Sequence, residues 1–288
     1  MSTLELIKDI SKEFSEKSID SSNVEAEAIV QEVLGCNRIA LYLEDIALSN
    51  NQSLSIEKMV ERRLSGEPLQ HVIGKVIFYG NEICVKKGVF IPRPETEILV
   101  DEVIKCLKDY EIRDTNNEIR ILDLCTGSGN IAISLTKALN ACKIIASDIS
   151  DAAIKLGKHN AKLNSVSEEI DFIKADFFDV LSKYKGSFDL IVSNPPYIDS
   201  KHIEKLPDEV KCDPIAALDG GVGGLDFYRR IVNNAELFLK SQGHIFLELA
   251  DGISKDVSSI FKNSNSFSDI KIAKDLNSID RVISAKRI

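Results

Sequence analysis

From about residue 119 onward, the hydrophobic pattern alternates between strand-like and helix-like segments. Short apolar runs predict strands at 119–124, 142–147, 169–174, 187–193, 243–249, 268–273 and 280–286. Apolar residues at helical spacing predict helices at 130–138, 151–163, 225–240 and 252–262. This alternation predicts a mostly parallel sheet with helices on both faces, which is a Rossmann-like fold of the α/β class. Because only KDLNS separates the last two strands, we expect an antiparallel hairpin at the C-terminal end.

The pattern before residue 73 is helical only and predicts a small N-terminal domain over residues 1–72. In the stretch VEAEAIVQEVLG, Gly35 is a suitable helix stop. The apolar stripe predicted for this helix contains Val24, Ala28, Ile29, Val33 and Leu34. Such a domain serves packing or recognition of a partner, and the pattern does not choose between the two.

Residues 73–94 predict a β-hairpin linker between this domain and the α/β domain, residues 95–288. β-Branched and aromatic residues lie on both sides of Gly80 and Asn81, as in a hairpin. Pro92 and Pro94 then force extended backbone before a helix that begins near Glu95.

Composition narrows the function classes only moderately. The 288 residues are 44% hydrophobic and 28% charged, and the net charge of −9 disfavours a broad surface that binds nucleic-acid phosphates. No apolar run is long enough for a membrane helix, and the N-terminus lacks the apolar core of a signal peptide, so we expect a cytoplasmic protein. The six cysteines and four histidines show no metal-ligand spacing, and we expect neither a metal nor disulfides.

The stretch RILDLCTGSGNIAISL predicts a buried strand, a glycine turn and a helix. Gly127 and Gly129 permit backbone conformations and close approaches that a Cβ would block, and the following helix presents its N-terminus. Asp148 ends the next predicted strand, where an acid accepts hydrogen bonds from the ribose of a nucleotide-like cofactor. NAD and S-adenosylmethionine proteins both use this turn. DLCTGSG, which contains Asp123, resembles the first motif of the class I S-adenosylmethionine-dependent methyltransferases, and this resemblance favours S-adenosylmethionine.

Asp176 and Phe177 follow the third predicted strand of the α/β domain in KADFFD. In that position a loop passes over the adenine of a cofactor laid across the strand ends. We expect Phe177 to stack on the ring and Asp176 to accept from its amino group.

The stretch DLIVSNPPYIDS places a stiff, polar corner after the fourth predicted strand of the domain. Asn194 and Pro195 each precede a proline and are therefore extended, and Pro195 and Pro196 carry no N–H. The corner thus displays two acceptors, the Asn194 side-chain oxygen and the Pro195 carbonyl, which suit the –NH₂ of an amide or amine. Tyr197 supplies an aromatic wall. We predict that Asn194, Pro195, Pro196 and Tyr197 are the catalytic residues.

These motifs carry a resemblance to a known family. NPPY together with DLCTGSG resembles the methyltransferases that act on exocyclic or amide nitrogens. GEPLQHVIG, FYG, IPRPETE and DPIAALDGG resemble the HemK/PrmC family, the peptide chain release factor glutamine methyltransferases. The resemblance implies methyl transfer from S-adenosylmethionine, with S-adenosylhomocysteine as product, to the N5 amide nitrogen of glutamine in a Gly-Gly-Gln motif.

The resemblance also assigns roles to individual residues. The cofactor would be bound by Cys125, Thr126, Gly127, Ser128, Gly129, Asp148, Asp176, Phe177 and Asn194. The glutamine would be bound by Phe90, Asn194, Pro195, Pro196 and Tyr197. Cys125 stands where the family usually has glycine, and Phe177 where tryptophan is frequent. The implied partner is a class I release factor docking on the N-terminal helices, and we expect a monomer without nucleic-acid or membrane partners.

Three other interpretations fit part of the pattern. A DNA or RNA adenine-N6 methyltransferase would use the same acceptors, but the acidic balance and the absence of a basic arm disfavour it. An NAD-dependent dehydrogenase fits the glycine turn and leaves residues 194–197 without a role. A non-catalytic cofactor-binding adaptor is disfavoured by the intact acceptor corner. The role of Arg93 stays open between capping the following helix and meeting the amino acid end of the cofactor. The glycine-rich loop at 220–224 fits a mobile lid over the substrate or a plain flexible loop equally well.

Overall fold

The computed structural model describes residues 2–43, 47–111 and 118–288. The chain divides into two compact units, residues 1–75 and residues 76–288. The helices of the first unit are α1 (Thr3–Glu16), α2 (Ser22–Leu34), α3 (Arg38–Leu43), α4 (Asn50–Leu64) and α5 (Leu69–Ile73). Their fully buried side chains include Phe14, Ile29, Leu41 and Ile56.

Local sequence explains where the helices of the first unit begin and end. Ser2 and Ser49 each accept a backbone hydrogen bond within a capping box. Gly35 caps α2 in the left-handed conformation at φ 63°, which confirms the predicted stop. The predicted stripe of α2 was partly wrong, because Val24 is 59% exposed while Ala26 is buried.

A two-stranded hairpin, β1 (Lys75–Phe78) and β2 (Asn81–Cys84), confirms the expected chain reversal. The turn consists of Tyr79 and Gly80, which have φ of 50° and 73°. The sequence suggested that Asn81 is a turn residue, but it is the first residue of β2. Its buried amide donates to the Tyr79 carbonyl and to Ser134 Oγ at 3.0 and 3.3 Å, which ties the hairpin to the α/β layer.

Within the described residues, seven strands form the sheet of the second unit in the order β5-β4-β3-β6-β7-β9-β8. Their bounds are β3 (Ile119–Leu124), β4 (Cys142–Asp148), β5 (Ile170–Lys174), β6 (Phe188–Ser193), β7 (Leu239–Glu248), β8 (Phe267–Lys274) and β9 (Asp280–Arg287). The pairs among β3 to β7 are parallel, and β9 is antiparallel to both β7 and β8. The predicted Rossmann-like sheet with a C-terminal antiparallel hairpin is confirmed.

Helices cover both faces of this sheet. They are α6 (Thr96–Glu111), α7 (Asn130–Ala138), α8 (Asp151–Leu163), α9 (Ile215–Leu218), α10 (Asp226–Phe238) and α11 (Ser254–Ser264). One core cluster includes Leu99, Val103 and Ile133, and the other includes Tyr228 and Phe261. The predicted bounds of α7 and α8 agree with the structure, whereas α10 ends at Phe238 because β7 begins at Leu239. Among the described residues, no helix has the length and apolar character needed to cross a bilayer.

The strand order places a crevice in the middle of the sheet. The chain builds outward from β3 through β4 to β5 and then returns to β6, which pairs with the other edge of β3. The loops after β3 and β6 therefore leave in opposite directions at the carboxyl ends of the strands. Ligands bind at such switch points in open α/β sheets, and the glycine turn and the Asn-Pro-Pro-Tyr segment both begin here.

Candidate active site at the switch point

A cavity of about 670 Å³ opens at the crevice between β3 and β6. It is large enough for a small-molecule ligand, for which sites of about 300–1,000 Å³ are usual. The residues predicted from separate stretches that line it are Phe90, Cys125, Thr126, Gly127, Ser128, Asp148, Asp176, Phe177, Asn194, Pro195, Pro196 and Tyr197. Gly129 does not line it.

The glycine turn after β3 uses its glycines for different purposes. A Cβ added at Gly127, where φ is 55°, would meet no atom within 4 Å, so space remains beside this residue at the cavity wall. A Cβ at Gly129 would lie 3.2 Å from the Phe172 ring and 3.3 Å from Gly157 Cα. The structure thus explains Gly129 by close packing of the turn, whereas the sequence grouped it with the cofactor-binding residues. Cys125 adopts a left-handed φ of 59°, a conformation that favours glycine.

The buried carboxyl group of Asp123 stabilises the glycine turn through a hydrogen bond with Thr126. Thr126 Oγ1 donates to Asp123 Oδ2 at 2.6 Å, and the Asp123 side chain is fully buried. Burial, together with the nearby charge of Asp148 and against the hydrogen bond from Thr126, raises the pKa of Asp123 to about 7. Asp123 therefore acts on the turn through Thr126 rather than from the cavity wall.

Asp148 ends β4 opposite the glycine turn and is held by backbone donors. Oδ2 accepts from Gly127 N and Oδ1 from Ser150 N, each at 2.9 Å. Burial raises the pKa of this carboxyl group, and the backbone N–H groups oppose the increase by stabilising the anion. Each oxygen of a carboxylate has a second acceptor site, so Asp148 retains acceptor capacity at the cavity wall.

The loop after β5 is covered by two residues that the sequence analysis missed, Phe227 and Arg230 of α10. The Phe177 ring stacks on Phe227 with centroids 5.3 Å apart, and Arg230 Cζ lies 4.5 Å from the Phe177 centroid. Arg230 also pairs with Asp176 at 2.9 Å. Phe227 and Arg230 are three positions apart and therefore lie on the same side of α10. This spacing alone does not predict a contact with the loop at residues 176–177, which is distant in sequence.

The Asn-Pro-Pro-Tyr corner, residues 194–197, lies at the carboxyl end of β6. Asn194 Nδ2 donates to Thr96 Oγ1 at 3.1 Å. Among the described residues, none donates to Asn194 Oδ1 or to the Pro195 carbonyl, so both acceptors that the sequence predicted remain unused by the protein. The corner therefore presents two acceptors to the cavity that it lines.

The far end of the corner contacts a buried acid. Tyr197 OH donates to Glu248 Oε1 at 3.3 Å. Burial raises the pKa of Tyr197, and the charge of Glu248 raises it further, so the phenol stays protonated and remains a donor. Burial also raises the pKa of Glu248 to about 7, while the hydroxyls of Thr96 and Tyr197 oppose the increase.

The wall beside the corner is closed by an ion pair. Arg93 Nη2 lies 2.5 Å from Asp213 Oδ2, and Asp213 Oδ1 accepts from Ile91 N at 3.1 Å. Arg93 Cζ also lies 5.2 Å from the centroid of Phe90, which lines the cavity. Arg93, whose role the sequence left open, therefore joins IPRPETE to DPIAALDGG.

The glycine-rich loop packs directly on the corner. Gly220 N donates to the Ile198 carbonyl at 2.8 Å, and Ile198 N donates to the Leu218 carbonyl at 2.9 Å. A Cβ at Gly220 would lie 2.7 Å from Tyr197 Cα, and one at Gly224 would lie 2.1 Å from the Tyr197 carbonyl oxygen. The loop therefore supports the backbone of residues 196–198.

Comparisons with known proteins bear on this arrangement. The family model described as PrmC N-terminal domain matches residues 5–74, and the one described as methyltransferase small domain matches residues 96–209. The release factor glutamine methyltransferase of Thermodesulfovibrio yellowstonii is 41% identical over 98% of this chain and 97% of its own length. The chain belongs to the release factor glutamine methyltransferase family. The family member of Agrobacterium fabrum is 36% identical over 92% of this chain and 90% of its own length.

The fold of this family member also agrees with a solved structure. A methyltransferase from Pyrococcus furiosus covers 83% of this chain and 98% of its own, with a TM-score of 0.52 at 17% identity. At that identity the likeness supports the fold alone. Membership of a methyltransferase family implies catalysis that depends on S-adenosylmethionine.

Two side chains of this methyltransferase escaped the sequence analysis, although they hold the corner. Thr96 lies inside IPRPETE, a motif that was noted for its prolines. Glu248 ends β7 in the run IFLELA, and an acid inside so apolar a run was an available signal. Among the described residues, no cluster of histidine, cysteine, aspartate and glutamate has the geometry to hold a metal ion.

Proposed function

We propose that the chain transfers a methyl group to the N5 amide nitrogen of the glutamine in the Gly-Gly-Gln motif of class I peptide chain release factors, supporting translation termination. One observation carries this proposal. At the switch-point cavity, Asn194 Oδ1 and the Pro195 carbonyl have no donor among the described residues, while the Asn194 amide nitrogen is held by Thr96.

These two acceptors match the substrate group. A primary amide presents two N–H donors in one plane, and two fixed oxygens bind both of them and orient the nitrogen. The amide nitrogen is a poor nucleophile because its lone pair is delocalised into the carbonyl group. Hydrogen bonds from its N–H groups to strong acceptors return electron density to the nitrogen, and positioning lowers the barrier further.

The corner requires no strong base. The methylated nitrogen is transiently very acidic, so its proton leaves after the transfer rather than before it. This agrees with a site whose lining contains amide, carbonyl and phenol groups, and in which burial keeps the Tyr197 hydroxyl protonated. Burial likewise raises the pKa of the Cys125 thiol and keeps it neutral, which gives no support to a thiolate nucleophile.

The rest of the cavity fits S-adenosylmethionine. The open space at Gly127, the acceptor capacity of Asp148 and the aromatic face of Phe177 suit the methionine, ribose and adenine parts respectively. Cys125, Thr126, Ser128, Asp176 and Asn194 complete the proposed cofactor contacts. When bound, this cofactor supplies an electrophilic methyl group and leaves as S-adenosylhomocysteine.

The proposed partner is a protein. We expect the N-terminal helices, residues 1–72 by the sequence boundaries, to recognise the release factor, and residues 95–288 to carry the reaction. The net charge of −9 supports a protein rather than a nucleic-acid partner. We expect a monomer that acts in the cytoplasm, where release factors work.

Methyl transfer with labelled S-adenosylmethionine tests the proposal. We expect label on the Gly-Gly-Gln glutamine of a release factor and none on DNA or RNA of any sequence. Asn194→Ala should lower kcat by roughly 10²-fold while cofactor affinity stays within a few-fold, because one preorganised acceptor is lost. Asn233→Ala, an exposed asparagine of α10, is the control. Label on nucleic acid alone, or full activity in Asn194→Ala, would refute the proposal.

A further inference from the structure

Glu248 is a buried acid that touches the corner without reaching the cavity. It ends β7, next to β6 in the sheet, and is 2% exposed. It is absent from the cavity lining, yet its carboxylate accepts from the Tyr197 hydroxyl at 3.3 Å. Burying a carboxyl group away from water is costly, so its presence calls for a physical reason.

The same carboxylate is linked to the other end of the corner through Thr96. Thr96 is 1% exposed, and its hydroxyl lowers the pKa of Glu248, whose buried Oε2 accepts no hydrogen bond from the described residues. Thr96 Oγ1 also accepts from Asn194 Nδ2 at 3.1 Å. Glu248 therefore connects with both Asn194 and Tyr197, the first and last residues of the corner.

The direction of these hydrogen bonds depends on the charge of Glu248. An ionised carboxylate only accepts, so the unpartnered Oε2 of Glu248 attracts the single proton of the Thr96 hydroxyl, and the lone pairs of Oγ1 then face Asn194. The Asn194 side chain must then turn its –NH₂ toward Thr96 and leave Oδ1 for the cavity. A protonated Glu248 is itself a donor, and it frees the Thr96 proton to bond Asn194 Oδ1 instead.

We propose that Glu248 is a positioning residue whose carboxylate, acting through Thr96, keeps Asn194 Oδ1 turned toward the amide of the substrate. This inference rests on the proposed function of the corner. It assigns to Glu248 the orientation of a hydrogen-bond acceptor and assigns it no contact with the reacting atoms.

The surroundings of Glu248 give its carboxyl group a pKa within the pH range in which the enzyme can be assayed. Besides Thr96 and Tyr197, the charged groups that act on it are Glu95, which raises its pKa, and Arg281 on β9, which lowers it. Tyr228 of α10 donates to its backbone carbonyl at 2.7 Å. Because the folded-state pKa of Glu248 is about 7, the competent carboxylate form accumulates above that pH and is lost as the pH falls below it.

Steady-state methylation of a release factor by the full-length chain, measured from about pH 5.5 to 9, tests the proposal. In Glu248→Gln we expect kcat to fall roughly 10- to 100-fold, with KM and cofactor Kd within about threefold of wild type. The acidic limb of the kcat profile near pH 7 should disappear. Asp251→Asn removes an exposed carboxylate three residues along the chain and should change neither quantity.

Thr96 offers a second, independent pair of variants. Thr96→Val removes the hydroxyl at nearly constant volume and should lower kcat as Glu248→Gln does, whereas Thr96→Ser keeps the hydroxyl and should retain activity. If Glu248 acts through Thr96, the double variant Thr96→Val, Glu248→Gln is no slower than the slower single variant. Thr96→Val should also lose the acidic limb near pH 7, which tests the role of Glu248 even if Glu248→Gln folds poorly.

The failures of the two proposals are distinguishable. A wild-type chain that labels no glutamine would refute the proposed function. An active wild-type chain whose Glu248→Gln variant keeps the wild-type kcat and acidic limb would overturn only the role of Glu248. Multiplicative losses in the double variant would likewise overturn the connection through Thr96.

Discussion

Substituting one glycine of the supporting loop should displace the corner without replacing any residue that lines the cavity. Gly224 has a φ of 72°, and a Cβ built on it would lie 2.1 Å from the carbonyl oxygen of Tyr197 and 3.0 Å from the carbonyl carbon. Cβ atoms essentially never approach another heavy atom within 3.0 Å, so Gly224→Ala requires the two backbones to separate by about 1 Å. The two contacting atoms of Tyr197 belong to the backbone, so the clash cannot be relieved by rotating a flexible side chain.

A displacement of that size matters for catalysis. Misplacing a reacting group by about 1 Å costs on the order of 10²-fold in rate. We therefore expect Gly224→Ala to lower kcat by 10- to 100-fold, with the affinity for S-adenosylmethionine nearly unchanged, because the glycine turn lies on a different loop.

The neighbouring glycine provides a matched control. Gly223 has a φ of 68°, and its Cβ would meet only Leu225 Cδ1 at 3.8 Å, an ordinary contact. Both alanine variants bear the cost of a left-handed conformation, about 1–2 kcal/mol, which thermal unfolding measures. Steady-state kinetics should show loss of kcat in Gly224→Ala alone. Equal kcat values in the two variants would refute the supporting role of the loop.

Two further predictions concern the cofactor side of the cavity. Asp148→Ala should weaken binding of S-adenosylmethionine by about 1–3 kcal/mol through lost charge-assisted hydrogen bonds, as measured by isothermal titration, while Asp151→Ala, whose carboxylate is exposed and paired with Lys174, should not. Unchanged affinity in Asp148→Ala would contradict its assignment. Cys125→Gly should be more stable than Cys125→Ala by about 1 kcal/mol in chemical denaturation, because both lose the thiol but only glycine is unstrained at a φ of 59°. A less stable glycine variant would show that this backbone is not strained.

Much of the fold was predictable because its strands are buried on both faces. Runs such as 119–124 and 187–193 are apolar enough to be recognised as strands without knowledge of the strands that pair with them. Between these two runs, α7 and α8 show apolar residues at clear helical spacing. The boundary between α10 and β7 was less predictable. Leu239 continues the helical apolar pattern, and only its pairing with Phe188 of β6 places it in the sheet.

The hairpin turn and the stripe of α2 show the limits of local pattern. Gly80 and Asn81 resemble turn residues, yet the buried amide of Asn81 bonds Ser134, a partner far along the chain. Val24 is apolar and lies at helical spacing, but Ala26 is the residue that packs inside the first unit. In both cases a contact distant in sequence decided between two locally acceptable alternatives.

Sequence alone determined the chemical groups of the site and their place at strand ends. Glycine, aspartate and Asn-Pro-Pro-Tyr have conformational and hydrogen-bonding properties that follow from their own covalent structure. Only the tertiary structure decided how these groups are oriented. Thr96, Asp213, Gly224, Arg230 and Glu248 come from separate segments, and a hydrogen bond or a close packing contact forms only where folding brings its two partners together.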